Sequence, residues 1–257
     1  MTIVSASFTA LIDPSAIDAV VFDIGGVFAI RHHEPVRNGM RRAGFDLPDD
    51  PAVFQEAHHR AVRAMSSRLA HGPVRETDRE FWLHFEHGYL SHLGIAEADL
   101  DRAVQAMFTE VSKEPKPLWR GLLPANIEGF RRIAAAGFPV AIVSNNDGTA
   151  AQQLVEFGVC QAGDGPFTSV AVVVDSGVVG IAKPDPAIFK PALDALGTDP
   201  ARTLYVGDTV HADVLGAKAA GMPVVQLDPY ELHADFDHAR LDGVSTLADL
   251  LLAARQD

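Results

Sequence analysis

Several polar residues of this sequence stand where apolar runs stop. Asp23 closes AVVFD (19–23), Ser144 and Asn145 lie at the end of PVAIVSNN (139–146), and Asp208 follows the apolar part of TLYVGDT (203–209). Lys183 sits in IAKPDPAIF (181–189) just before a helical pattern, and Asp213 comes five residues after Asp208. Carboxylates, one ammonium and small hydrogen-bonding side chains together suit one task, the holding of a phosphoryl group beside a divalent metal. A phosphoryl group is anionic and repels an anionic nucleophile, and a bound magnesium offsets that repulsion. Magnesium prefers oxygen ligands and needs only one or two carboxylates, which Asp23 and Asp208 can supply. A lysine stabilises charge on the equatorial oxygens, with Ser or Asn donors completing the cradle. An aspartate can itself attack phosphorus and form an aspartyl-phosphate.

These residues act together only if the elements carrying them converge. AVVFD, PVAIVSNN, TLYVGDT and PVVQLDP (223–229) read as short buried strands. NIEGFRRIAAAG (126–137), TAAQQLVEFG (149–158), PAIFKPALDALG (186–197) and ADVLGAKAAG (212–221) read as amphipathic helices ending at or near glycine. Strand alternating with helix implies an α/β fold, a Rossmann-like core with a parallel sheet covered on both faces. Ligands then bind beyond the carboxyl ends of the strands. SVAVVVDSGVVG (169–180) is β-rich and fits either a core strand or a small hairpin, with DSG (175–177) and GDG (163–165) as turns.

Residues 31–117 have few strand signals. PVRNGMRRAGF, DPAVFQEAHHRAVRAMSSRLAHG, TDREFWLHFEHGYLSHLG and EADLDRAVQAMFTEVS suggest helices, and KEPKP (113–117) a stiff linker. The expected organisation is an α/β core from 1–30 and 118–257 and a helical domain at 31–117, with a single merged domain as the alternative.

The chain has 257 residues and is 47% hydrophobic, enough for a sizeable core. Its net charge of −13 argues against nucleic-acid or anionic-membrane partners but leaves room for a locally positive phosphate pocket. The single cysteine, Cys160, forms no internal disulfide or zinc cluster and is expected to be buried and inert. The first 30 residues carry no Lys or Arg, and no apolar run approaches the roughly 18 residues of a membrane span, so a cytoplasmic location is expected.

The ordered series FDIGGV, IVSNN, AKPDP and YVGDTVHAD resembles the four motifs of the haloacid dehalogenase superfamily. The resemblance covers about 18–30 and 118–230; the helical insertion matches in position, where members carry a C1-type cap. It implies a magnesium-dependent phosphatase acting on a small phosphorylated metabolite. Asp23 would be nucleophile and metal ligand, and Gly25 would offer its backbone carbonyl to the metal. Ser144 would bind phosphate while Asn145 positions the loop. Lys183 would bind the phosphoryl group and tether Asp23. Asp208 would ligate the metal, with Asp213 behind it or ligating through water.

One position departs from the pattern. Phosphatase members carry a second aspartate two residues after the nucleophile, as acid and base for the leaving group and the water, and Gly25 stands there. His32, His33 and Glu34 follow as candidate replacements, although paired histidines are commonly solvated surface. Gly25 also keeps two other readings open: a haloacid dehalogenase, whose chemistry needs no metal and leaves YVGDTVHAD without a use, and a non-catalytic protein that keeps the fold. Elsewhere structural readings stand. His58 and His59 are expected on a helix surface, His84 and His87 in packing, and Phe81, Trp82, Phe85 and Tyr89 in the core of the insertion.

Overall fold

The computed structural model describes residues 8–69, 79–114 and 118–255. The strands, numbered in chain order, are β1 (Ala19–Phe22), β2 (Ala29–Arg31), β3 (Trp119–Leu122), β4 (Val140–Ser144) and β5 (Cys160–Ala162). They continue with β6 (Thr168–Val170), β7 (Val173–Asp175), β8 (Thr203–Gly207), β9 (Val224–Leu227) and β10 (Ala239–Leu241). The chain divides into two compact units, one of 1–28 with 123–257 and the other of 29–122.

The first unit is built on a six-stranded sheet of order β10-β9-β8-β1-β4-β7. Every neighbouring pair in it is parallel. β1, β4, β8 and β9 are buried at every position, so both faces are covered, as a parallel sheet with helical crossovers requires. This explains why these strands read as continuous apolar runs rather than alternating ones. Phe22, Phe28 and Phe130 anchor the core, with Phe130 edge-on to both others at centroid distances of 5.2 Å.

Helix starts follow a local rule of this sequence. In Asp13-Pro14, Asp50-Pro51, Asp185-Pro186 and Asp199-Pro200 the aspartate accepts the N–H two residues on, at 3.0, 2.9, 2.9 and 2.8 Å. Each proline then sits in the first turn, where its missing N–H costs nothing.

The ambiguous β-rich stretch is neither a single strand nor a hairpin. β6 pairs in parallel with β5, while β7 joins the edge of the main sheet beside β4. DSG is not a simple turn: Asp175 ends β7 and caps the short helix Ser176–Val179. The segment expected as one helix at 186–197 is a 3-10 turn Pro186–Phe189 running into the helix Lys190–Leu196. That expected at 212–221 opens as a π-turn over Val210–Val214 before Leu215–Ala219. Beyond the sequence expectations lie β10 and the helix Val244–Ala254, whose Leu247, Ala248 and Leu251 join the core.

The second unit holds helices His33–Arg42, Pro51–Arg68, Arg79–His92 and Leu100–Thr109, with β2 and β3 paired antiparallel. Residues 115–117 of the expected linker lie outside the described residues. Phe81, Phe85 and Tyr89 are buried in its core, with Trp82 packed against it. His58 and His59 are not on the surface: both are buried, and His58 packs edge-on against Phe85 and Trp119. Arg31 on β2 forms a buried two-pronged ion pair with Glu86, at 2.7 and 2.6 Å. Its guanidinium lies 4.7 Å from the Phe85 ring and 5.2 Å from Tyr89. Among the described residues no helix is long and apolar enough to cross a membrane.

Candidate active site

Strand register brings the strand-end residues of the core together. Phe22 pairs with Ile142 on one side and Val206 on the other. Asp23 therefore stands level with Val143 and Gly207. Ser144 and Asp208 follow one rung further on the flanking strands. Parallel pairing is what places all three at the same edge.

Three carboxylates meet there. Asp23, Asp208 and Asp213 are all buried, and each offers an oxygen within 4.8 Å of those of the other two. Lys183 Nζ reaches into the group, 2.9 Å from Asp23 Oδ1 and 2.7 Å from Asp213 Oδ1. It also donates to the Tyr205 hydroxyl at 2.9 Å. The Lys183 loop is aimed by Asn145, whose Oδ1 accepts from Lys183 N at 2.8 Å and whose Nδ2 donates to Lys183 O at 3.2 Å. Two reciprocal bonds from a side chain at the end of β4 fix a backbone segment far along the chain.

Asp213 is held from several sides. Its Oδ2 accepts from Asp208 N at 3.1 Å, Thr209 N at 2.9 Å and Thr209 Oγ1 at 2.7 Å. Its Oδ1 takes Lys183 and the Tyr205 hydroxyl, the latter at 2.9 Å. With both oxygens engaged, Asp213 braces the loop and orients Lys183.

The charges are unequal. Burial pushes the Asp213 pKa up, but the Lys183 charge and the Lys183 and Thr209 hydrogen bonds outweigh it, so the carboxyl stays below its ordinary value. Asp23 goes the other way, raised to about 7 by burial and by Asp213 and Asp208, against the pull of Lys183. Three buried carboxylates facing one ammonium carry excess negative charge that a divalent cation would offset, so the donor set fits such an ion.

Two glycines make the cluster possible. An added Cβ at Gly26 would lie 2.0 Å from Asp208 Oδ2, and one at Gly207 would lie 2.3 Å from Asp213 Cγ. At Gly25 the space is open: the nearest atom to an added Cβ is Asp23 Oδ2 at 3.9 Å.

Other contributors carried no local signal. Tyr205 is fully buried within β8, and its hydroxyl also lies 3.1 Å from Val143 O. Asp175, level with Ser144, accepts from Gly148 N and Ala150 N at 3.0 and 2.9 Å and so shapes the loop after β4. Gln226 donates to Asp208 O at 2.7 Å, and its Oε1 lies 2.7 Å from His238 Nε2. Since Asp208 O can only accept, Gln226 Oε1 faces the imidazole and His238 carries its proton on Nε2. Cys160 is buried, its thiol pushed up to about 12 by burial, as expected of an inert cysteine. In the helical unit, His32 and His33 stack at 4.8 Å, and His32 Nδ1 accepts from Glu34 N at 3.3 Å, capping the helix that follows.

The chain resembles known proteins in sequence and in fold. The chain is 44% identical over 199 residues to a glyceraldehyde 3-phosphate phosphatase of Methanopyrus kandleri, covering 71% of this chain and 82% of that protein. It is 32% identical over 180 residues to the probable phosphatase IndB of Dickeya dadantii, covering 70% and 75%. A solved HAD phosphatase from Thermococcus onnurineus shares the fold with a TM-score of 0.52 at 22% identity, over 91% of this chain and 98% of that one. The model of the haloacid dehalogenase-like hydrolases matches residues 17–221, and the chain belongs to that family of hydrolases.

Proposed function

We propose that this hydrolase is a divalent-metal-dependent phosphatase of small phosphorylated metabolites, with Asp23 as nucleophile. The observation that carries the reading is the Asp23 carboxylate, buried at a sheet edge, 2.9 Å from Lys183 and clustered with Asp208 and Asp213. The phosphatase names of the relatives agree with it. Asp23 attacks phosphorus, the ester oxygen departs, and water then releases phosphate from Asp23. Lys183 keeps Asp23 in place and balances charge on the phosphoryl oxygens. Ser144, one rung beyond Asp23, donates to the phosphate, and Asn145 holds the Lys183 loop. Asp23, Asp208 and the Gly25 carbonyl would hold Mg²⁺, with Asp213 behind them. The ion would supply charge neutralisation at the phosphoryl group. The helical unit acts as a cap that selects substrate, and the protein works in the cytoplasm.

The test is hydrolysis of 4-nitrophenyl phosphate with Mg²⁺, comparing wild type with Asp23→Asn under saturating metal. Wild-type turnover lost on adding EDTA and absent from D23N is the expected result. Gly25 motivates a second reading as a dehalogenase. Halide release from 2-haloacids that survives EDTA would replace the phosphatase with it.

A further inference from the structure

An alkyl phosphate expels an alkoxide, which needs a proton as the bond breaks; a positioned acid is worth about 10²–10⁴ in rate. Among the described residues, the donors that contact Asp23 and its partners Lys183 and Asp213 are engaged with one another. Lys183 Nζ donates to Asp213 and Tyr205 and forms an ion pair with Asp23 at 2.9 Å. The Tyr205 proton points to Asp213 or Val143 O. The Thr209 hydroxyl donates to Asp213, and the Asn145 amide to the Lys183 carbonyl. At Gly25, the position beside the nucleophile with open space, there is no side chain.

Resting on the phosphatase reading, we propose that the preferred substrates are acyl phosphates, mixed anhydrides whose leaving group departs as a carboxylate with no proton. Asp23 Oδ bonds to phosphorus as the P–O bond to the acyl group breaks, and the carboxylate leaves with the bonding pair. Water oxygen then bonds to phosphorus, Asp23 leaves as its own carboxylate, and both water protons remain on the phosphate. The second step also expels a carboxylate, so neither step asks the core for an acid. Alkyl phosphates fail at the first step.

The experiment measures kcat/KM of the Mg²⁺-loaded full chain for acetyl phosphate, a series of substituted phenyl phosphates and glycerol phosphate. Across the phenyl series kcat/KM should fall at least about fivefold per unit of leaving-group pKa. Acetyl phosphate should exceed glycerol phosphate by about 10³ or more. Gly25→Asp, which the open space admits, should raise the glycerol-to-acetyl ratio by about 10²–10⁴. A shallow wild-type slope with comparable turnover of glycerol phosphate overturns the proposal whether or not G25D folds. H32A, H33A or H211A steepening that slope would then identify the proton donor. Failure to hydrolyse any ester or anhydride, with metal binding verified by calorimetry, removes the phosphatase reading itself.

Discussion

Gly26 and Asp208 are packed so closely that no side chain fits between them. The Gly26 backbone, at φ +64°, passes where an added Cβ would lie 2.0 Å from Asp208 Oδ2. Gly26→Ala should therefore displace the Asp208 carboxylate and also pay roughly 1–2 kcal/mol for a left-handed alanine. Mg²⁺ affinity should drop by about tenfold or more, a range typical of a disturbed metal site. Calorimetric titration reads this, and unchanged affinity in folded G26A would show that Asp208 holds no metal.

Tyr205 connects Lys183, Asp213 and the end of β4 through one hydroxyl. Tyr205→Phe keeps the ring against Phe189, whose centroid is 5.0 Å away, and removes only that oxygen. Leaving buried partners short of a bond costs about 1–3 kcal/mol. The expected result is a kcat about tenfold lower or more, with Mg²⁺ affinity within about twofold of wild type. A kcat equal to wild type would make Tyr205 a packing residue.

Gln226 and His238 brace the Asp208 carbonyl from behind, both buried. Outer partners of this kind typically contribute about 10–100-fold in metal affinity. His238→Phe should weaken Mg²⁺ binding by about tenfold, whereas His238→Gln, which still donates to Gln226, should recover most of it. Steady-state kinetics against metal concentration separates the two. Equal metal dependence in H238F and H238Q would argue against the brace.

Buried histidines make stability depend on pH. Burial lowers His58 to about 3 and His238 to about 4, from an ordinary 6.5. Below pH 6.5 the unfolded chain takes up protons at both positions while the folded chain does not. Stability is then fully present above that pH and falls as pH drops towards about 4, by at most about 1.4 kcal/mol per pH unit for each histidine. Asp23, raised to about 7, gains stability over the same range and offsets part of the loss, so the histidine contribution is read as a difference between variants. Urea midpoints between pH 7.5 and 4.5 should decline less in His58→Phe than in wild type, and equal pH dependence in the two would contradict the His58 shift.

The sequence by itself determined the strands, because a fully buried parallel strand must be a continuous apolar run, and AVVF, VAIV and TLYV are such runs. It also determined the family resemblance of the four motifs, since a polar group at a strand end is a local signal. The aspartate-proline helix starts were local too. Only the tertiary structure decided which groups meet. Tyr205 is one aromatic among apolar neighbours until the register aims its hydroxyl at Lys183. Gly26 looks like half of a Gly-Gly turn until Asp208, from a distant strand, lies against it. His58 and His59 read as a polar helix face because helical periodicity cannot tell which side of an inserted unit becomes its interior. Arg31 and Glu86 form a buried pair that no local window reveals, because the partners stand 55 residues apart. Burial and charge pairing are properties of contacts between distant segments, and a local window holds only one partner of each.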